Sequence, residues 1–279
     1  MMETIKGIRT AEGVAQIDYD ALSNKPVIVN PNLLDNWYFG NPVNQRGQME
    51  YSSNAYSIDR WLIPSANTVL RLDEFSFYSS ASGNIIFQYI DNQDEFVGKI
   101  VTLSALATNA LISTTIEIPD VLPTGTSTIG KGSTPINGVS IYLRVLNSKL
   151  AFVFYAASNY IPNTAIKVKA AKLELGDTQT LAHKDANGNW VLNEIPNYAD
   201  QLARCQRYYE STVEYCRWSI APNTKITVPY KVTKRVFPAV TVTGSAEGLT
   251  VDYKWADSFR VANETANIID FDWEATADL

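Results

Sequence analysis

Alternation of apolar and polar residues with a period of two dominates the middle of the chain. From Val139 to Val145, four aliphatic side chains fall on one parity, while Ser140, Tyr142 and Arg144 fall on the other. This spacing is typical of a half-buried β-strand, because successive side chains of a strand point to opposite faces. The same pattern predicts further strands over 67–77, 84–90, 99–107, 112–118 and 149–155, separated by polar turns.

A strand predicted over 165–175 changes phase along its length. Ile166 and Val168 share one parity, whereas Ala171 and Leu173 continue on the other. A shift of one residue moves every later side chain to the opposite face of a sheet. A β-bulge at 170–171 would keep both halves of the strand facing one core.

Helical periodicity is confined to one segment late in the chain. Asn197 is a good N-cap residue, and Tyr198, Leu202, Cys205 and Tyr209 follow it as one stripe of a helix. Just before the helix, an Asn-Gly pair at 187–188 lies between extended flanks. That dipeptide predicts a tight β-hairpin.

The last 70 residues again alternate with a period of two, over 226–232, 249–255 and 269–275. In the second of these segments Leu249, Val251, Tyr253 and Trp255 share a parity, which predicts that they lie on one face. In the third, apolar residues at 269, 271 and 273 are expected to point inward. The acidic residues at 270, 272 and 274 then point outward, which favours a solvated acidic face over a glycosidase pair or a calcium site.

Many short strands and a single helix predict an all-β fold. We expect a jelly-roll β-sandwich over 30–182, a hairpin and helix over 183–210, and a small C-terminal β domain over 211–279. Residues 1–29 have too few apolar positions to form a core of their own. They are expected to form an extended connector that is ordered by packing on another chain or on the sandwich.

Composition and charge exclude several classes of protein. With 46% hydrophobic and 19% charged residues among 279, the chain can bury enough surface to fold. No apolar run approaches the roughly 18 residues of a membrane span, and the first residues do not resemble a secretory signal, so membrane insertion is not expected. The net charge is −6, and residues 245–279 hold eight acidic against two basic residues. Such a field repels phosphate backbones, so a nucleic-acid partner is not expected.

The reactive residues are few. Cys205 and Cys216 lack CxxC spacing, and His183 is the single histidine, so no metal site and no cofactor are predicted. His183 is interpreted as a surface or capping residue. Motifs of a nucleophilic serine or of a phosphate-binding loop do not occur in the sequence.

Four blocks of sequence resemble the tail-fibre and distal-tail proteins of bacteriophages and prophages. The run TAEGVAQIDY at 10–19, with Leu22 and NKP at 24–26, resembles their connector. The segments 32–36, 41–47 and 56–61 together form the second block, which is similar to the opening of their jelly-roll, carbohydrate-binding-like domain. KLELG at 172–176 resembles the closing strand of that domain, and LARCQRYYE at 202–210 resembles the helix that follows it.

This resemblance implies a tail-tip protein of a virion or tailocin that binds a bacterial surface receptor, such as a glycan, without catalysis. It further implies a homotrimer that is attached to other tail proteins through residues 1–29 and assembled in the bacterial cytoplasm. Two alternatives stay open. The chain could be a purely structural tail or baseplate component, or a surface-glycan depolymerase that acts with two carboxylates.

Sugar binding calls for flat aromatic faces beside fixed polar groups, and 15 tyrosines and 6 tryptophans supply the first kind. Tyr142 and Arg144, on the polar face of one predicted strand, are the candidate ligand-binding residues, with Gln88 beside them. Trp190 is a further candidate in the predicted hairpin. For the first three the alternative is a solvated or subunit-covered sheet face, and for Trp190 it is packing against the helix. The segments 45–47 and 59–61 are interpreted as a structural clamp rather than a sugar site.

Overall fold

The computed structural model describes residues 8–10, 13–15, 29–52, 55–64, 68–72, 75–79, 82–107, 110–132, 138–156, 165–212, 218–245 and 247–277. Strands are numbered in chain order. A short hairpin of β1 (Ile8–Thr10) and β2 (Gly13–Ala15) precedes the main unit. Apart from Val29, the rest of the predicted connector lies outside the described residues.

Two six-stranded antiparallel sheets form the main unit. The first sheet contains, in spatial order, β10 (Leu111–Glu117), β9 (Ile100–Ala107), β14 (Ile166–Leu175), β7 (Ser76–Ser79), β6 (Thr68–Arg71) and β3 (Glu50–Ser52). The second contains β11 (Ser127–Lys131), β12 (Val139–Leu146), β13 (Lys149–Ala156), β8 (Gly83–Tyr89), β5 (Leu62–Ile63) and β4 (Ala55–Tyr56). A short 3-10 helix, Gln93–Glu95, follows β8. The chain passes repeatedly from one sheet to the other, which is typical of jelly-roll sandwiches.

The inward faces of both sheets enclose one hydrophobic core. Its aromatic centre is Trp61, which is fully buried and contacts the rings of Phe39, Phe152 and Phe154. The alternation read from the sequence accounts for this core: in β12 the aliphatic parity from 139 to 145 is buried, while Tyr142 and Arg144 are only half-buried.

One predicted strand is in fact two. The apolar positions over 67–77 predicted a continuous strand, but the structure has the hairpin β6–β7, in which Leu70 pairs with Phe77. At the turn end of this hairpin, the Phe75 amide donates to the Leu72 carbonyl. Phe75 has a positive φ of 39° yet is buried, so an apolar residue occupies the turn and conceals it from pattern analysis.

The predicted phase slip in β14 is confirmed. Its register against β9 shifts between Val168 and Ala170, close to the predicted position. Ala170 and Ala171 are both fully buried because the bulge turns neighbouring residues toward the same core.

The predicted hairpin and helix both occur. Strands β15 (Ala182–Lys184) and β16 (Trp190–Leu192) pair across a turn in which Gly188 has a φ of 81°. Helix α1 (Tyr198–Gln206) follows, and the Asn197 Oδ1 accepts a hydrogen bond from the Ala199 amide at 2.8 Å, which confirms the N-cap.

The predicted helical stripe is partly wrong. Tyr198 is 45% exposed, while the buried helix residues are Gln201, Cys205 and Gln206. Tyr209 lies beyond the helix, in the strand that follows it. The helix ends at Gln206 because the next amides bond three residues back, as the Tyr208 amide does to the Cys205 carbonyl.

The C-terminal unit has two small antiparallel sheets. In the first, β23 (Ile269–Thr276) pairs along one edge with β17 (Tyr209–Ser211) and β18 (Trp218–Ile220) and along the other with β20 (Ala239–Gly244). In the second, β22 (Ser258–Asn263) lies between β19 (Thr224–Pro229) and β21 (Leu249–Lys254). They enclose a second core that includes Phe259, Phe271 and Trp273. The described residues therefore form an all-β fold with one α-helix, as predicted.

Candidate functional site

A pair of exposed aromatic rings lies on the second sheet of the C-terminal unit. Tyr253 is 54% exposed and Trp255 40% exposed, although both are large apolar side chains. Their rings are parallel, with an interplanar angle of 10° and centroids 5.4 Å apart. We call Tyr253 and Trp255, together with Asp252, Arg260 and Lys225, the aromatic platform.

A bulge in β21 creates this arrangement. Val251 pairs with Val261, but the next pair joins Tyr253 to Arg260, so Asp252 is the extra residue. Without the bulge, Tyr253 would lie opposite Phe259, which points into the core and is fully buried. The bulge instead turns Tyr253 onto the outward face that carries Arg260. The sequence-based prediction that 249–255 alternates on one face is therefore wrong from Asp252 onward.

Charged groups fix the edge of the platform. Arg260 donates to the Asp252 carboxylate from Nε at 2.9 Å and from Nη2 at 2.9 Å, and Lys225 Nζ lies 2.9 Å from Asp252 Oδ2. The guanidinium carbon of Arg260 also lies 4.3 Å from the centroid of the Tyr253 ring. The hydrogen bonds from Arg260 hold the pKa of Asp252 well below its ordinary value, so the carboxylate stays ionised.

This chemistry suits a sugar ring. An exposed aromatic face provides apolar contact for the C–H surface of a pyranose, while oriented charged groups at its edge can hydrogen-bond the hydroxyls. Because Arg260 and Asp252 hold each other in place, little side-chain freedom is lost when a ligand binds.

Two of the sequence-predicted ligand residues lie together on the sandwich. Tyr142 and Arg144 share the outward face of β12, where the Tyr142 ring lies 4.6 Å from that of Tyr155. Arg144 Nη1 donates to Asn84 Oδ1 at 2.7 Å, and its Nε has no hydrogen-bond partner among the described residues. The rings cover a small apolar layer that contains the buried Phe87. This face remains a candidate binding surface.

Gln88 does not join that face. Its neighbours Phe87 and Tyr89 belong to the outward layer, so alternation points Gln88 to the other side, where it is 1% exposed. Both ends of its amide are occupied by the backbone of Asp35, at 2.7 Å and 2.8 Å. Gln88 therefore ties the 31–36 loop to β8 and offers no surface to a ligand.

Trp190 lies in a third place, beside an apolar groove of about 380 Å³. It is half-buried against the sandwich core, and Tyr38, Leu106 and Ile195 line the groove with it. Lys184 Nζ lies 5.4 Å from the centroid of its ring. His183 in the same hairpin is exposed, and its Nδ1 lies within hydrogen-bonding distance of Asn193 Oδ1.

The segments 45–47 and 59–61 join the sandwich to the C-terminal unit. Asp59, which is 1% exposed, accepts hydrogen bonds from the Gln45 amide at 2.8 Å and from its Nε2 at 3.0 Å. Gln45 Nε2 also donates to the Tyr209 carbonyl, and the Arg46 guanidinium lies 3.8 Å from the centroid of the Tyr209 ring. These contacts agree with the structural interpretation of both segments.

The acidic face of β23 is as expected. Ile269, Phe271 and Trp273 are buried, whereas the carboxylates between them point away from the core. Glu274 accepts from the Tyr209 hydroxyl at 3.1 Å, and Asp270 is bonded by Ser219. Among the described residues, no group of three or more His, Cys, Asp or Glu is placed to hold a metal ion.

The pattern of apolar residues does not identify Tyr253 and Trp255 as exposed. The apolar parity continues through both of them, so nothing in the pattern of 249–255 marks the bulge. The neighbouring strand does hold a signal: Phe259 and Val261 fix Arg260 on the outward face. Which residue lies opposite Arg260 on that face depends on the register of the two strands, and this register cannot be read from sequence.

Comparison with family models, with curated proteins and with solved structures gives no match for this chain. In the described part of the chain, no helix has the length and apolar character that a membrane crossing requires.

Proposed function

We propose that this chain is a non-enzymatic glycan-binding protein of a bacteriophage or prophage tail, which attaches the particle to a bacterial surface through the aromatic platform. The exposed parallel rings of Tyr253 and Trp255, fixed beside an ion-paired Arg260, carry the proposal. The sequence resemblance to tail-fibre proteins supports the biological setting.

The rigid β-scaffold supports the same function. Large aromatic side chains are seldom left exposed in pairs unless they contact a partner, because their exposure to water is unfavourable. A single sugar contact of this kind is weak. A trimeric tail tip would present three platforms, and simultaneous binding raises the overall affinity without new contacts.

Trp255 provides the sharpest test. Fluorescently labelled full-length protein is expected to bind intact cells of at least one strain in a bacterial panel, and periodate treatment of the cell surface should abolish that binding. Trp255→Ala removes one stacking face, so we expect at least about a fivefold loss of cell binding, equivalent to about 1 kcal/mol. Phe237→Ala is the matched control, since Phe237 is 73% exposed in the same unit but lies outside the platform.

Three results would contradict parts of the proposal. Equal binding by Trp255→Ala and the wild type would exclude the platform as the receptor site. New reducing ends in purified envelope polysaccharide after incubation would favour the depolymerase alternative, and a stable monomer at micromolar concentration in light scattering would exclude the trimer.

A further inference from the structure

A second, polar cleft opens where the end of helix α1 meets the sandwich. Its volume is about 520 Å³, within the range usual for small-molecule sites. Leu33 and Phe96 from sandwich loops and Tyr208 from the end of the helix form its apolar part. Its charged lining residues are Asp35, Asp91, Glu95, Arg204, Arg207 and Arg235.

The cleft has more arginine side chains than it has carboxylates that form ion pairs with them. Asp35 is tightly held, with Arg204 Nε at 2.7 Å and Arg60 Nε at 3.2 Å from its carboxylate oxygens. Asp91 is held loosely, because Arg60 Nη2 and Arg235 Nη2 lie 3.6 Å and 3.7 Å from its Oδ1. These two distances exceed those of charge-assisted hydrogen bonds, so an incoming anion could take up Arg235 without breaking a hydrogen bond.

Several guanidinium donors are unused. Nη1 of Arg60 and Nη1 of Arg235 have no hydrogen-bond partner among the described residues. Arg207 is exposed, and its side chain makes no hydrogen bond or ion pair within the described part of the chain. The Tyr208 ring orients the other two, since its centroid lies 3.5 Å from the guanidinium carbon of Arg60 and 5.5 Å from that of Arg235.

The lining of the cleft is balanced in charge, with three guanidinium groups and three carboxylates, although the whole chain has a net charge of −6. The buried guanidinium group of Arg60 lies against the Tyr208 ring, next to this lining. The negative end of the helix dipole accounts for Arg204 and Arg207. It does not account for Arg235, which comes from a loop between β19 and β20, or for Arg60 from the sandwich.

We propose that this cleft binds a single carboxylate or phosphate group carried by a small polar ligand, such as an acidic sugar. Arg207 and Arg235 donate to the anionic oxygens, because guanidinium groups match the planar geometry of carboxylates and phosphates. The site is separate from the aromatic platform and does not depend on it.

Isothermal titration calorimetry of the full-length protein at low salt tests the proposal, with glucuronate, inorganic phosphate and glucose as probes. Glucuronate or phosphate should bind more tightly than glucose, which has no anionic group. Arg207→Gln should weaken the binding of that anion about tenfold or more, the usual effect of losing hydrogen bonds to a charged group. Lys131→Gln, which removes an exposed cation outside the lining of the cleft, should leave it unchanged.

Comparison of glucuronate with inorganic phosphate shows whether the cleft prefers a carboxylate or a phosphate group. Binding of neither anion, equal binding of glucose, or an unchanged affinity in Arg207→Gln would overturn the proposal. Asp91→Asn provides a second measurement, since it removes the carboxylate that competes for Arg235 and should tighten anion binding. Weaker binding in Asp91→Asn would also count against it, even if Arg207→Gln failed to fold.

Discussion

Asp252 holds the edge of the aromatic platform through hydrogen bonds from Arg260 and Lys225. Since these bonds lower its pKa in the folded protein, they contribute stability above about pH 4, the ordinary pKa of an aspartate. This contribution is lost as the pH falls through the lowered folded-state value. We therefore expect the carboxyl of Asp252 to titrate well below pH 4 in an NMR titration of the folded protein.

Arg260→Gln is the matched variant for that titration. It removes the bidentate partner of Asp252 but leaves Lys225 in place, so the pKa of Asp252 should rise toward its ordinary range. The stability difference between Asp252→Asn and the wild type should shrink as the pH falls below about 4. An Asp252 titration that is identical in Arg260→Gln would show that other groups set its pKa.

At the level of secondary structure elements, the capping bond at Asn197 tests how much local chemistry stabilises helix α1. Asn197→Ala leaves the Ala199 amide without its side-chain acceptor. Loss of an N-cap costs about 1 kcal/mol, which should appear as a lower midpoint in urea unfolding. Asn197→Asp retains an oxygen acceptor and should keep nearly the full stability. Equal losses in both variants would argue against the capping bond.

The two β-bulges explain why sequence analysis located one break in alternation and missed the other. In β14, Ala170 and Ala171 are apolar neighbours, so the parity visibly changes. In β21, Tyr253 and Trp255 continue the apolar parity of Val251, and the bulge at Asp252 leaves no trace in it. A pattern of hydrophobicity cannot separate a buried aromatic residue from one that is exposed for binding.

The other predictions from sequence that proved wrong concern a turn and the end of a helix. The all-β fold, the hairpin and the helix N-cap follow from local residue chemistry, and the sequence was sufficient for them. The turn after Leu72 and the end of helix α1 before Tyr209 depend on tertiary packing instead. At both places an apolar residue that fits the local pattern is buried by another element.

For the molecule as a whole, the contacts between the two cores could not be read from sequence, because they join residues more than 100 positions apart. The Asn36 backbone N–H donates to Gln201 Oε1 at 2.8 Å, and Gln45 Nε2 donates to the Tyr209 carbonyl at 2.7 Å. Arg46 lies over the Tyr209 ring and 3.7 Å from Asp59. Since small β units gain little stability from their own cores, the C-terminal unit should depend on these contacts.

The pH dependence of Arg46→Met tests this coupling. Burial raises the pKa of Asp59 and the charge of Arg46 opposes that rise, so the variant should raise this pKa further. A raised folded-state pKa means that stability is lost as the pH rises through it. The variant should therefore lose more stability at pH 7, about 3 kcal/mol, than at about pH 3, where the unfolded-state carboxyl is largely protonated too.

Hydrogen exchange can locate that loss within the molecule. In Arg46→Met at pH 7, the amides of β22 and β23 should exchange faster than in the wild type. This acceleration should be larger than that of the amides of β9 and β14, because Arg46 contacts Tyr209, and Tyr209 lies in the strand that pairs with β23. Arg71→Gln removes an exposed ion pair with Glu50 on the sandwich and should change neither set. Uniform acceleration of both sets in Arg46→Met would mean that the two cores open only together.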